Sequence, residues 1–413
     1  MSDTRDAFGR YGVDVDRAIE SCLSIPISIH CWQADDVVGL EPKTIEGGSG
    51  GILATGNHPG RARNGDEIRE DLEWVLERVP GVHRINLHAM YAETGGIAVP
   101  RDELEPGHFE HWMQWSRSQS LALDFNPTYF AHPMASDGFT LSHPKSAIRD
   151  YWIRHGQACR RIAQAFAETQ HLDCVINHWI PDGAKDNPTD RWSPRSRLKS
   201  ALDEVMTEPL PGVQDAVESK LFGLGSEDYV VGSFEFYSQY AANSIRKPLI
   251  CLDMGHFHPT ETIHDKLSAL LQFHERLLIH VSRPMRWDSD HVVLFDDNLR
   301  AVFMELNRGN ALDRVNIALD FFDASINRVA AYVIGIRATR KAILAALLEP
   351  VELLQSLESE GKPAEKLALL EEMKTLPFGE VWNELCERGG VPGAEWIDDI
   401  AVYECQKSSK RLT

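Results

Sequence analysis

The amino-acid sequence predicts an α/β fold: a (β/α)8 TIM barrel that carries a helical C-terminal extension. Two observations predict it. Eight apolar segments of strand length recur between Pro26 and Asp323, each closing on polar or charged residues, and helical periodicity fills the gaps between them. Such alternation favours a parallel sheet wrapped by helices, and eight repeats are the number that closes a barrel.

Taken in order, residues 1–25 read as one further helix, and "PISIHCWQ" from Pro26 is the first strand. "EGGSGG" (46–51) reads as a flexible turn or lid hinge, and "GILATG" (51–56) is an alternative strand. In "DEIREDLEWVLERV", Ile68, Leu72, Val75, Leu76 and Val79 recur at helix spacing. Strands two to four are "RINLHAMY" from Arg84, "LALDFNPTY" from Leu121 and "CVINHWIPD" from Cys174. Ser193 followed by Pro194 reads as an N-cap with proline at the first helical position. Strands five to eight are "DAVESKLF" from Asp215, "PLICLDMGHF" from Pro248, "LLIHVSRP" from Leu277 and "VNIALDFFD" from Val315. From about residue 345 the pattern is helical throughout, with Pro350, Pro363 and Pro377 as breaks. The expected units are a catalytic barrel over 1–344 and an extension over 345–413 that serves oligomerisation.

The chain has 413 residues, 43% hydrophobic and 25% charged, which is the composition of a soluble globular protein with a large core. Its net charge is -20 and no Lys/Arg stripe interrupts it, which argues against nucleic acid or an anionic membrane surface as a partner. Seven scattered cysteines without a Cys-x-x-Cys pair read as reduced core thiols of a cytoplasmic protein. No stretch approaches 18 apolar residues, so membrane insertion is not expected.

In a barrel of this class, functional groups gather where strands end on the C-terminal face. Strand five ends in Glu218 and Lys220, strand six in Asp253 and His256, strand seven in His280 and then Asp288 and Asp290, strand eight in Asp320 and Asp323. Two bare carboxylates about 4 Å apart repel by roughly 4 kcal/mol at an effective dielectric near 20, so their convergence calls for cations. Glu218, Asp253, Asp288, Asp290 and Asp320 bring five negative charges, which two divalent ions nearly neutralise. Mixed carboxylate and imidazole ligation suits Mn2+, Zn2+, Co2+ or Mg2+. The spacing of two in "WDSDH" (287–291) puts Asp288 and Asp290 on one side of an extended segment. His258, His274 and His291 are assigned to the surroundings. Taken alone, His88 or His280 would be a hydrogen-bonded core histidine; it is the joint pattern on four successive strands that points to metal.

"HCWQADDV" (30–37), "GNHPGRARN" (56–64), "DAVESKLFGLGSEDYVVGS" (215–233), "LDMGHFHPTE" (252–261), "HVSRPMRWDSDHVVLFDD" (280–297) and "LDFFDASINR" (319–328) together resemble the L-rhamnose isomerase family. The resemblance implies an aldose–ketose isomerase acting on a small sugar, working with Mn2+ and often a second divalent ion such as Zn2+, Co2+ or Mg2+, and assembled as a homotetramer. By that resemblance His256, Asp288 and Asp290 hold the catalytic ion, and Glu218, Asp253, His280 and Asp320 the structural one. Lys220, Trp179 and His88 are implied as catalytic-pocket residues. His58, His178 and Phe234 depart from the family pattern, which bears on sugar selectivity and loop closure. A metal-dependent phosphodiesterase would use the same ligand types but needs a basic groove, and a sugar-binding protein needs no metal sets. Within the isomerases, a xylose-like or broad-specificity enzyme is the alternative. Whether hydrogen moves as hydride or as proton is open at this level.

Overall fold

The computed structural model describes residues 2–41, 56–221, 228–286 and 289–411. Eight parallel strands close a barrel: β1 (Ile27–His30), β2 (His83–His88), β3 (Ala122–Asn126), β4 (Cys174–Trp179), β5 (Val213–Glu218), β6 (Leu249–Asp253), β7 (Leu277–Val281) and β8 (Val315–Leu319). Each strand lies beside its chain neighbours, and β8 pairs with β1 through Ile317 and Ile27 to complete the ring. Each of the eight predicted segments supplies one barrel strand. "GILATG" and "EGGSGG" fall outside the described residues, apart from Gly56, which is not in a strand. One short antiparallel pair, Gly183–Ala184 with Tyr229–Val230, sits outside the ring.

A helix follows every strand: Gly65–Leu76, Glu110–Ser118, Ser146–Gln170, Trp192–Val205, Phe234–Asn243, His264–Leu270, Asp297–Arg308 and Arg328–Leu347. The first shows why. Asn64 Oδ1 accepts from Glu67 N at 3.0 Å, and Ile68, Leu72 and Val75 are fully buried on one face. Each such side chain contributes about 1.5–3 kcal/mol by leaving water. Strand alternation does the matching work: in β7, Leu277, Ile279 and Val281 join the large core between strands and helices, while Leu278 and His280 turn into the barrel.

Residues 1–25 form two helices, Ser2–Gly9 and Val15–Ser24, rather than the single one expected. Gly12, at φ +79°, breaks the run, and Asp14 restarts it by accepting from Arg17 N at 3.1 Å. The helix after β4 starts at Trp192, ahead of the predicted Ser193 cap, because Asp190 Oδ1 takes the N–H groups of Trp192 (3.0 Å) and Ser193 (2.9 Å). Helix Arg328–Leu347 runs unbroken through residue 344, where the sequence placed a boundary, and Val333, Ile336 and Ile343 are fully buried along it. Beyond it come Val351–Ser359, Pro363–Met373, Phe378–Arg388 and Trp396–Gln406, each opening at or just after a proline or a short turn. The Arg337 guanidinium ties the extension to the barrel: it lies 5.0 Å over Trp382 and donates to Arg78 O at 2.9 Å and Pro392 O at 3.1 Å.

Six cysteines are buried and Cys405 is exposed, so the expectation of core thiols fails at that one position; all seven are free. Among the described residues no helix is long and apolar enough to cross a membrane.

Candidate functional site

Strand register sets the level of the site. Asp253 pairs with His280, Trp179 with Glu218 and His88 with Asn126. Glu218, Asp253, His280 and Asp320 each place one ligand atom within 4.8 Å of the others. His280 Nδ1 is 3.4 Å from Glu218 Oε1, 3.8 Å from Asp253 Oδ2 and 3.3 Å from Asp320 Oδ2, and His256 Nδ1 is 3.1 Å from Glu218 Oε1. Glu218, Asp253 and His280 are 2% exposed or less.

Three carboxyls in so small a buried volume cannot all ionise unaided. Burial, joined by Glu218 and Asp320, pushes the Asp253 carboxyl up to about 7, and burial likewise raises Asp320. Burial also opposes the Glu218 carboxylate, yet His280 and His256 hold its pKa below the ordinary value. Burial works against the His280 imidazolium too, but Cys251 and Glu218 keep its pKa well above normal. Protons are thus retained where a divalent ion would displace them.

The donor set fits such an ion. Glu218 Oε1, Asp253 Oδ2 and both ring nitrogens of His280 are buried without a hydrogen-bond partner, an arrangement that costs free energy unless something else meets them. Oxygen and nitrogen ligands about 2.0–2.6 Å from an ion lie at most about 5 Å apart across it, which the cluster matches. Cys251 could replace the two aspartates in a trio with Glu218 and His280. Burial pushes its thiol up to about 12, and its side chain packs in the barrel's inner belt with Val175, Ala216 and Leu278, so the carboxylate set is the better ligand group.

Around the cluster stand an amide and a ring of aromatics. Asn177 donates Nδ2 to Glu218 Oε2 and so fixes that carboxylate. Trp179 meets Phe130 edge-on at 5.2 Å and lies nearly parallel to His256 at 6.2 Å; the ammonium of Lys220, itself 4% exposed, sits 4.7 Å over its ring. Trp32 covers His88 at 4.0 Å. His88 Nε2 meets Asn126 Nδ2 at 2.9 Å and its Nδ1 meets Thr128 Oγ1 at 3.3 Å. Burial holds His88 well below its usual pKa, so it is a neutral ring in the pocket wall. Sequence reasoning missed Asn177, Trp32 and Phe130. The signal for Asn177 was present, since it sits two residues before Trp179 on the same face of β4.

Asp288 lies outside the described residues. Asp290 is not in an extended segment as expected: its φ is +43°, and its carbonyl accepts from Phe322 N at 2.9 Å, which turns the backbone towards β8. His178 turns away from the barrel axis into the strand–helix layer, 3.0 Å from Asp215 and 3.2 Å from Tyr129 OH. His58 Nε2 is directed at Glu404, 3.4 Å away, and Phe234 packs edge-on against Phe257 at 5.3 Å. His258 bonds Thr260 at 2.8 Å and His291 bonds Ser289 at 3.0 Å.

A cavity of about 920 Å3 enters the barrel from its N-terminal mouth and reaches Asn177 and His280 from below. Glu218, Asp253 and Asp320 do not line it; they stand at the opposite end, where the strands finish.

Residues 1–411 match the family model described as L-rhamnose isomerase (RhaA). The L-rhamnose isomerase of Rhodopirellula baltica is 54% identical over 410 residues, covering 98% of this chain and 95% of that protein. That of Yersinia pseudotuberculosis serotype IB is 54% identical over 411 residues, covering 98% and 97%. Among solved structures, an L-ribulose 3-epimerase aligns with 81% of this chain and 97% of its own at 11% identity and a TM-score of 0.48. The chain belongs to the L-rhamnose isomerase family.

Proposed function

We propose that the interconversion of L-rhamnose and L-rhamnulose takes place at the C-terminal ends of β4 to β8, with Glu218, Asp253, His280 and Asp320 holding one divalent ion, and His256, Asp288 and Asp290 a second. One observation carries this reading: three carboxyls and one imidazole, nearly all deeply buried, converge within 4.8 Å while Glu218 Oε1, Asp253 Oδ2 and both His280 ring nitrogens make no well-formed hydrogen bond. Mn2+ suits this oxygen-rich set, with Zn2+, Co2+ or Mg2+ as the second ion. A divalent ion bound there supplies Lewis-acid stabilisation of the charge that develops on the sugar's O1 and O2.

The remaining residues bind and enclose. Trp179, Phe130 and Trp32 give the pocket an apolar wall that keeps water from the reacting carbons. Lys220 has no carboxylate partner among the described residues, and its ammonium above Trp179 donates to a sugar hydroxyl. Asn177 holds Glu218 in one orientation. His88, neutral and bonded through both nitrogens, shapes the wall beneath Trp32. The dry wall supports transfer of the hydrogen between C1 and C2 without exchange; turnover in heavy water that places deuterium on carbon would replace this with proton transfer.

Assembly as a homotetramer is supported by the extension. Helix Pro363–Met373 buries none of its residues, and Leu353 and Leu367 are exposed on this part of the chain. Six buried free thiols support a reducing, cytoplasmic setting. The site placement is tested by Asp253→Asn and Glu218→Gln, made singly: each is expected to lose bound metal and rhamnulose formation together, and retention of both by either variant rejects it.

A further inference from the structure

We infer that the segment from Trp396 to Arg411 is a strap that positions the β1 side of the sugar pocket, with Arg411 as its positioning residue. The inference rests on placing the pocket at the strand ends, as above. Arg411 is a buried cation held from several sides. It pairs with Asp71 Oδ2 at 2.7 Å and Glu70 Oε2 at 3.2 Å, and donates to Glu67 O at 3.3 Å and Gly60 O at 3.4 Å. Tyr403 OH, on the same strap, donates to the other oxygen of Asp71 at 2.6 Å. The strap is therefore locked to helix Gly65–Leu76 through the Asp71 and Glu70 carboxylates and to the preceding loop through the Gly60 carbonyl.

That loop leads to the pocket. Gly60 has φ +83°, and a Cβ added there would lie 2.5 Å from Ser408 Cβ, so loop and strap touch backbone to side chain with no room between them. Ala62 N donates to Ala34 O at 2.8 Å, which ties the loop to the turn after β1. Two residues earlier in that turn, Trp32 lies on His88 and faces Phe130 and Phe322. A second line runs in parallel: Glu404 accepts from Asn327 Nδ2 at 2.8 Å, and Arg328 donates to Asp36 and to His58 O. His58 N in turn donates to Ala324 O at 2.6 Å, four residues beyond Asp320. None of these strap residues is placed on the sugar or in the metal cluster, so their effect passes through Trp32 and its turn.

The test compares Arg411→Ala, Arg411→Lys and Gly60→Ala with the full-length parent, all loaded with Mn2+ and assayed well below their melting temperatures. Arg411→Ala removes the cation; Gly60→Ala wedges loop from strap while leaving Arg411 in place. The strap predicts that KM for L-rhamnose rises about tenfold in both, because displacing a wall by a fraction of an ångström weakens sugar contacts, while kcat and the bound-metal stoichiometry stay within about twofold. Arg411→Lys should recover part of the loss, and amide exchange should quicken across residues 56–64. If Arg411→Ala does not fold, Gly60→Ala and Arg411→Lys decide alone. KM within twofold of the parent overturns the strap, as does a loss of metal and kcat in step with KM, which would mark a merely structural contact. Metal and turnover surviving Asp253→Asn would instead reject the site placement and leave the strap's contacts as they are.

Discussion

Replacing Asp320 by Asn should reverse the sign of its effect on stability when metal is added. In the metal-free protein Asp320 faces Glu218 and Asp253 as well as His280, and burial raises its pKa, so the ionised form is disfavoured on balance. Each like-charged pair at about 4 Å costs roughly 4 kcal/mol at an effective dielectric of 20, and His280, 3.3 Å away, offsets about one such pair. A neutral amide removes the surplus repulsion, so the variant should melt at or above the parent in chelator. With metal the order inverts. A parent held at 100 times its dissociation constant gains about 2.7 kcal/mol from the bound ion; a variant weakened about 100-fold keeps only about 0.4. The difference of about 2.3 kcal/mol amounts to a few degrees in Tm for a chain of this size. Thermal melts of both proteins, in chelator and at one fixed Mn2+ concentration, give the four numbers needed. Equal lowering of Tm in both conditions would refute the reasoning, as would Mn2+ raising Asp320→Asn as much as the parent.

Other consequences are simpler to read. kcat/KM should be higher for L-rhamnose than for D-xylose or D-glucose; a higher value for either rival would move the enzyme to a xylose-like class. His178→Phe should cost about 1–3 kcal/mol through its lost bonds to Asp215 and Tyr129 while leaving the ratio of L-rhamnose to D-xylose activity unchanged, and a changed ratio would put His178 back in the pocket. Burial pushes the Asp35 carboxyl up to about 7 from an ordinary 3.8, so its folded form holds a proton that the unfolded chain gives up. Stability linked to Asp35 is therefore full below about pH 4, falls as pH rises to about 7 and stays low above it. Asp35→Asn keeps an acceptor for Gly39 N and turns its amide N–H to the Tyr91 hydroxyl oxygen, and should raise Tm at pH 8 but not at pH 4; an equal change at both would contradict the assignment.

The strands were legible because each is a short apolar run that ends abruptly in charge: "LICLD" into Gly255 and His256 has no other economical reading than a buried strand meeting a polar rim. The same abruptness exposed Glu218, Asp253, His280 and Asp320, since Glu218 and Asp253 close their strands, His280 is the last residue but one of its strand and Asp320 directly follows its own. Asn177 was hidden because a neutral amide in an apolar run carries no charge signal; its role depends on Glu218, 41 residues away. Trp32 was hidden for a similar reason, being the natural residue of a core until His88 is seen beneath it. Spacing misled at Asp290, where an assumed extended backbone is in fact turned by a hydrogen bond from Phe322. It misled again at residues 1–25, where one glycine at positive φ outweighs a continuous helical pattern.

The central claim is that the isomerisation requires divalent metal at the strand ends, held by Glu218, Asp253, His280 and Asp320 and by His256, Asp288 and Asp290. It is tested most directly by titrating Mn2+ into protein shown by elemental analysis to be metal-free, and following L-rhamnulose formation at each point. The account predicts no turnover without metal and a rise that saturates at one to two ions per chain. Full turnover in the verified metal-free protein would contradict it.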